Sequence, residues 1–386
     1  MSHLRRVRTG LDRLIEEDFA TLSGSNVALV TNGTALSAHL TDTVAAFVAA
    51  SGLRLRAIFA PEHGFLGATQ AGEVVWDGTE RRTGVPIYSL YGRRLEPTPE
   101  MLDGVDVIVY DMQDVGARYY TYLATLRNVL HTASRLGRRV VICDRPNPLG
   151  GAVVEGFPPY EKEFSALVSP APMPIRYGLT VGEYARWLVN HLGWEVELEV
   201  VPLSGWRRDL SYEETGLIWA PPSPNVPTIS SVWAYAGTCL IEGTNLSEGR
   251  GTTLPFEQFG APWVDGFRLA DQLNALELPG VFFRPVAFTP TFSKHAGLRC
   301  EGGAPPRAGS ESVPSGGHRS CPLDPPPGVG RVPVGAARRF VFHRSAAGNR
   351  SGAKTDRRGS LGGGGSRRLG GARSGLPAGG AGVLAL

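Results

Sequence analysis

The chain has 386 residues, a formal net charge of +3 and 42% hydrophobic residues, enough to bury a sizeable core in about two domains. Residues 301–386 hold 13 Lys and Arg against 4 Asp and Glu, which leaves 26 against 32 in residues 1–300. The mildly acidic first part lacks the basic footprint of a nucleic-acid-binding protein. With no run of ~18 apolar residues and no secretory signal after Met1, we expect a cytoplasmic protein without membrane or nucleic-acid partners.

Short apolar runs alternate with helical periodicity along the first part of the chain. This pattern predicts an α/β domain with a mostly parallel sheet. The predicted strands are 27–31, 53–60, 85–90, 106–110 and 139–143, with an edge strand at 195–201. The predicted helices are 41–50, which Thr41 or Asp42 caps, 119–136, and 180–192, which begins after Thr180 and ends at Gly193.

A proline-rich segment, 221–227, interrupts this pattern and predicts a domain boundary near residue 228. We therefore expect a first domain over 1–228 and a smaller α/β or α+β domain over 229–300. The second domain has a predicted strand at 235–241 and a helix at 267–276. Residues 301–386 are rich in Gly, Arg and Pro without apolar periodicity, which predicts disorder in either a basic tail or an out-of-frame reading.

Polar clusters follow several predicted strands, at the carboxyl edge where ligands bind in open parallel sheets. The first cluster is Pro61-Glu62-His63-Gly64. Glu62 is predicted to be a general acid, because partial burial raises a carboxyl pKa. A carboxylate that only stabilises the turn is the alternative. His63 is predicted to orient Glu62, to hold the substrate or to be structural.

Two further clusters follow the strands at 106–110 and 139–143. The second cluster contains Asp111, Gln113, Asp114, Arg118 and Tyr120, and the third contains Asp144, Arg145 and Asn147. Either of the first two aspartates is expected to activate a water or to anchor sugar hydroxyls, and a structural Asp–Arg network is the alternative. A metal site built from the three aspartates and His63 is disfavoured by the neighbouring arginines. We predict neither a metal nor a cofactor.

The segment 242–257 combines three Gly and three carboxylates with hydroxyl and amide side chains. Such a composition is typical of backbone and directional polar groups brought close to a small polar ligand such as a sugar. Glu248 is predicted to be a second catalytic acid or a ligand clamp, and Arg250 to bind a ligand carboxylate. Glu242 and Asn245 are predicted to bind substrate. Phosphate-loop and nucleophile-elbow motifs are absent from the sequence.

Four of these segments together resemble the exo-β-N-acetylmuramidase family, formerly a family of unknown function. They are 59–64, 110–118, 144–148 and 242–252, and the resemblance extends over about residues 7–300. It implies a Rossmann-like N-terminal domain, a smaller C-terminal domain and a cleft between them. It also implies release of N-acetylmuramic acid from the non-reducing end of peptidoglycan fragments, with Glu62 as the catalytic glutamate. Relatives continue beyond the motif ending at Gly297, so we expect a truncated second domain here.

Three functional hypotheses follow. The leading one is a glycosidase acting on small muropeptide-derived sugars. The second is a sugar-binding protein that has lost catalysis through its altered C-terminus. The third is a metal-dependent hydrolase that uses the aspartate clusters. Inversion, retention and substrate assistance all remain open, because a carboxylate separation in space decides between them.

Overall fold

A computed structural model describes residues 7–158 and 166–305 of the protein. A seven-stranded sheet forms the centre of its larger region. The strand order is β3-β4-β2-β1-β5-β6-β7, and every pair is parallel except β3–β4. The order reverses direction between β1 and β5, which opens a crevice at their carboxyl ends. The strands are β1 Asn26–Thr31, β2 Arg54–Ala60, β3 Gly78–Thr79, β4 Pro86–Ser89, β5 Val107–Asp111, β6 Arg139–Cys143 and β7 Leu198–Val201.

Helices cover both faces of this sheet, and each face has its own apolar core. On one face, Val27 and Leu29 of β1 belong to the same buried core as residues of α1 and α2; on the other, Ala28 and Val30 share a core with α3 and α4. This alternation is the period of two that strands impose. The helices are α1 Gly10–Glu16, α2 Thr43–Ala49, α3 Tyr122–Leu136 and α4 Val181–Leu192.

Most of the predicted elements are confirmed to within three residues. Asp42 caps α2 through a hydrogen bond from Ala45 N at 2.9 Å, and Thr180 caps α4. The last predicted strand of the sheet lies at its edge, as β7. Gly137 and Gly193 end α3 and α4 with left-handed backbone.

A smaller antiparallel sheet forms the second region, with strand order β8-β10-β9. The α+β prediction is confirmed, but the predicted strand at 235–241 is wrong. That segment is the end of a helix followed by a 3-10 turn at Cys239–Gly243. The apolar residues of this helix at 229, 232 and 235 are buried at helical spacing, which the nearly continuous apolar run concealed. The elements are α5 Ile229–Thr238, β8 Phe259–Ala261, α6 Gly266–Asn274, β9 Arg284–Phe288 and β10 Cys300–Ala304.

Residues 301–304, which the sequence analysis assigned to the tail, lie in β10 between β8 and β9. A Cβ atom at Gly302 would lie 1.8 Å from Phe259 O, so glycine is required for this close pairing. The remainder of the predicted disordered tail, 306–386, lies outside the described residues. Within the described part of the chain, no helix is long and apolar enough to cross a membrane. The domain boundaries remain a prediction.

Candidate active site

Glu62 lies just beyond the carboxyl end of β2, where Pro61 ends the strand. Its side chain is buried, and both carboxylate oxygens accept hydrogen bonds: Oε1 from Gly72 N at 3.0 Å and Oε2 from Thr121 Oγ1 at 2.8 Å. One donor belongs to the loop after β2 and the other precedes α3. The carboxylate is therefore held in a fixed orientation between two parts of the fold, as a catalytic acid requires.

His63 is also buried, and its backbone is left-handed with φ of 72°. Such a conformation is costly for a residue with a side chain and is concentrated at functional sites. Nδ1 lies 2.9 Å from Thr69 O and must donate to that carbonyl, which leaves Nε2 as the acceptor of the neutral ring. Burial lowers the pKa of His63, and so does the Arg250 guanidinium, against the raising effect of Glu62.

A cluster of aromatic side chains and a series of buried hydrogen bonds lie near Glu62. Tyr120 packs between Tyr122 and Tyr235, with ring centroids 4.7 and 6.0 Å away. Asn32, which follows β1, donates to Tyr122 OH at 2.5 Å, and that hydroxyl donates to Pro222 O at 2.7 Å. The Tyr120 ring lies 6.3 Å from the His63 ring, and its role in substrate binding remains a prediction.

The proline-rich segment is part of this site. Ser223, Asn225 and Val226 are all buried. Asn225 Nδ2 donates to Gln70 Oε1 at 2.8 Å, on the loop that also holds Glu62 through Gly72. The segment that predicts a domain boundary therefore packs against the site loop.

The glycine-rich segment is held together by ion pairs around the buried Glu248. Arg250 donates from Nε and Nη2 to Glu242 Oε1, at 2.9 and 2.7 Å, and its Nε lies 3.2 Å from Glu248 Oε1. Lys294 Nζ lies 2.9 Å from Glu248 Oε2 and also donates to the carbonyls of 241, 242 and 246. The Arg250 guanidinium lies near enough to His63 for its charge to lower the pKa of that ring. Asn245 is exposed, and its carbonyl lies 2.7 Å from His295 Nε2.

Asp111 and Arg145 form a buried ion pair at the tips of β5 and β6. Arg145 Nε donates to Asp111 Oδ1 at 2.6 Å, and its Nη1 donates to Leu36 O at 3.0 Å. Their side chains are 0% and 4% exposed. The structural Asp–Arg network that the sequence analysis left open is observed here.

Gln113 and Asp114 are also engaged within the fold. Gln113 Nε2 donates to Asp114 O and Pro146 O, at 2.8 and 2.9 Å. Asp114 Oδ2 accepts hydrogen bonds from Tyr177 OH and from Gly116 N. Burial raises the pKa of Asp114 to about 6, although these hydrogen bonds act in the opposite direction.

This raised pKa predicts a pH-dependent stability. Asp114 binds its proton more tightly in the folded state (pKa about 6) than in the unfolded chain (3.8), so its stabilising contribution is complete below pH 4 and is lost as the pH rises through about 6. We expect Asp114→Asn to raise the free energy of unfolding at pH 8, by up to roughly 3 kcal/mol, and to change it little at pH 4. Urea denaturation at both pH values measures this. Exposed Asp103→Asn is the control; a stabilisation equal at both pH values would contradict the prediction.

The remaining predicted site residues have structural partners. Asp144 binds the N-terminal end of α4 by accepting hydrogen bonds from Thr180 Oγ1 at 2.9 Å and Gly182 N at 2.8 Å, and burial raises its pKa to about 6. Asn147 Nδ2 donates to Leu179 O at 2.9 Å. Arg118 Nη1 donates to the carbonyls of 157 and 173. In the described ranges, no group of three or more His, Cys, Asp or Glu could hold a metal ion.

The structure thus brings Glu62, His63, Tyr120 and Arg250 together, and places the aspartate clusters at the carboxyl edge of the sheet. Sequence reasoning missed three contributors: Thr121, Gly72 and Lys294. A threonine just before a helix is usually a cap, and a glycine amide carries no sequence signal of its own. Lys294 lies in the motif ending at Gly297 and had no assigned role.

Comparison with known proteins matches most of the described chain to one family. The profile of the N-terminal domain of exo-beta-N-acetylmuramidase NamZ matches residues 27–230, and that of its C-terminal domain matches residues 233–304. Over 297 residues the chain is 43% identical to the peptidoglycan beta-N-acetylmuramidase NamZ of Bacillus subtilis (strain 168), covering 77% of this chain and 72% of that protein.

Two solved structures share the fold, both DUF1343 family proteins of Bacteroides fragilis NCTC 9343. The first has a TM-score of 0.75 and 34% identity, over 89% of this chain and 83% of that chain. The second has a TM-score of 0.62 and 27% identity, over 78% and 76%. The two-part α/β fold predicted from the sequence is therefore confirmed.

Proposed function

This chain belongs to the NamZ family of exo-beta-N-acetylmuramidases, and we propose that it releases N-acetylmuramic acid from the non-reducing end of peptidoglycan fragments. It is a glycosidase of that family. The observation that supports the position of its catalytic centre is the buried carboxylate of Glu62, fixed by two hydrogen-bond donors beside a neutral histidine.

Glu62 is the proton donor in this proposal. Its proton passes to the glycosidic oxygen as the bond from that oxygen to the anomeric carbon breaks. The hydrogen bonds from Thr121 and Gly72 orient the carboxyl group, and each of its oxygens accepts only one of these bonds. After the leaving sugar departs, the same carboxylate takes a proton from the incoming water.

A second free carboxylate is not needed in this scheme. Glu248 is neutralised by Arg250 and Lys294, and Asp111 by Arg145. The substrate carries its own nucleophile, because the oxygen of the 2-acetamido group can bond to the anomeric carbon as the leaving oxygen departs. Water then opens this cyclic intermediate with overall retention of configuration. Nε2 of neutral His63 is available to accept a hydrogen bond from the substrate.

The test of function is hydrolysis of a chromogenic N-acetylmuraminide by the full chain, with and without a chelator. Turnover insensitive to the chelator supports the glycosidase. Binding without turnover supports the sugar-binding alternative, and loss of turnover on chelation supports the metal-dependent one. Proton NMR of the first-formed sugar tests the mechanism: a β anomer supports substrate assistance, and an α anomer rules it out.

Arg250 is a positioning residue in this proposal. The sequence predicted that it binds the lactyl carboxylate, but its Nε and Nη2 already face Glu242 and Glu248. We therefore expect Arg250→Ala to weaken binding of N-acetylmuramic acid and N-acetylglucosamine equally, by about tenfold, because Glu242 and Glu248 lose the charge-assisted contacts that hold the glycine-rich segment in place. Calorimetric titration with both sugars measures this. A loss confined to N-acetylmuramic acid would instead identify Arg250 as the lactyl-binding group.

The cytoplasmic location predicted from the sequence, and a role in cell-wall recycling, belong to the same proposal. A glycosidase that acts on peptidoglycan fragments rather than intact wall fits such a role. Fractionation of cells that produce the full chain tests the location. Recovery outside the cytoplasm would contradict it.

A further inference from the structure

A groove of about 670 Å³ lies along helix α3, and Glu62 does not line it. One wall is the segment 92–99 and the other is the part of α3 from Arg127 to Leu136. Its volume is in the range of ligand-binding pockets. The mechanism above makes no use of this groove.

The groove is strongly basic. The titratable side chains that line it are one carboxylate, four guanidinium groups and one histidine: Glu96, Arg93, Arg94, Arg127, Arg135 and His131. Glu96 lies 3.2 Å from His131 Nδ1 and 3.5 Å from Arg135 Nη1. Arg94 pairs with Asp77 at the groove's end. These contacts neutralise only part of the positive charge.

Two arginines keep their charge available. The Arg93 guanidinium lies 4.4 Å from the ring centre of Trp76, and that of Arg127 lies 5.9 Å from the ring centre of Trp194. Neither forms an ion pair with a carboxylate in residues 7–158 and 166–305. A guanidinium stacked on an aromatic ring is held in place while its N–H groups remain free for a carboxylate or phosphate.

Two residues beside the groove follow closely in the chain after the groups that hold Glu62. Gly72 N donates to Glu62, and four residues later Trp76 lies under Arg93. Thr121 Oγ1 donates to the other carboxylate oxygen, and Arg127 follows six residues later, roughly 9 Å along α3. Arg127 therefore lies within the length of a short sugar chain from the donor that holds Glu62.

We propose that this groove binds carboxylates carried by the leaving part of the substrate. Peptidoglycan alternates N-acetylglucosamine with N-acetylmuramic acid, so a fragment longer than a disaccharide carries a lactyl or peptide carboxylate on that side. Arg93 and Arg127 bind it through charge-assisted hydrogen bonds. This rests on the proposed function and extends it, because it makes longer anionic fragments the preferred substrates.

The test compares two substrates of the full chain. One is the disaccharide of N-acetylmuramic acid linked to N-acetylglucosamine, whose leaving sugar is uncharged; the other is the tetrasaccharide that repeats it. We expect Arg127→Gln and Arg93→Gln each to raise KM for the tetrasaccharide about tenfold or more. On the disaccharide, kcat/KM should stay within about twofold, as for exposed Arg268→Gln on both substrates.

Several outcomes decide whether the groove binds carboxylates of the substrate. Equal losses on both substrates, or no loss on the tetrasaccharide, would overturn the groove assignment. A tetrasaccharide with its peptides attached identifies the carboxylates: an effect that appears only with peptides supports the peptide source, and one already present without them supports the lactyl source. Failure of the unaltered chain to cleave the disaccharide would overturn the proposed function itself, whatever the arginine variants do.

Discussion

Replacing Glu62 by Gln is expected to lower kcat by about 10²–10⁴-fold and to leave the fold intact. Gln has the same shape and can accept the hydrogen bond from Thr121, but it has no proton to give to the leaving oxygen. Turnover of the chromogenic N-acetylmuraminide measures the loss, and titration with N-acetylmuramic acid shows that the sugar still binds.

Exposed Glu100→Gln is the matched control and should retain full activity. If the Glu62 variant keeps more than about a tenth of the original rate, proton transfer by Glu62 does not supply the expected catalysis. The role of acid would then have to be reassigned. Loss of sugar binding together with turnover would identify Glu62 as a binding residue instead.

Replacing Arg145 by Met is expected to cost about 3–5 kcal/mol of stability. The change leaves the Asp111 carboxylate without its cation at a position where its side chain is 0% exposed. Urea denaturation followed by circular dichroism measures the loss. The variant is expected to lose stability rather than catalysis, because the ion pair lies at the tips of β5 and β6 and does not hold Glu62.

The double variant Asp111→Leu with Arg145→Met provides the internal control for this prediction. It removes both charges, so most of the lost stability should return. A single Arg145→Met change that costs less than about 1 kcal/mol would show that the ion pair does not stabilise the fold. A double variant as unstable as the single one would show that packing, rather than charge, causes the loss.

The fold was largely predictable because each local pattern agreed with the overall arrangement. Buried runs such as 107–111 and capped helices such as 181–192 have periodic or terminal signals in the sequence. The strand predicted at 235–241 was wrong because the apolar run there has no clear period. In addition, Thr228, which caps the helix that contains this run, lies beside the proline-rich segment and gave no clear helix signal. Residues 301–304 were assigned to the tail because glycine-rich sequence usually indicates flexibility. Here the glycine at 302 instead permits close pairing of strands.

The site was predictable in position but only partly in role. Strand ends located Glu62 and His63 correctly at the carboxyl edge of the sheet. The roles of Asp111 and Arg250 depend on partners distant in sequence or placed by the fold, here Arg145 and the pair Glu242 and Glu248. Such pairings are three-dimensional facts, and a single sequence offers both a ligand-binding and a structural interpretation for each residue.

The most direct test of the central claim is product analysis on the defined tetrasaccharide with N-acetylmuramic acid at its non-reducing end. We predict that mass spectrometry finds free N-acetylmuramic acid and the complementary trisaccharide as the first products, and that Glu62→Gln forms neither at a comparable rate. Two disaccharides as first products would show cleavage inside the chain. That result, or an intact tetrasaccharide after prolonged incubation with the unaltered protein, would contradict the exo-acting N-acetylmuramidase described here.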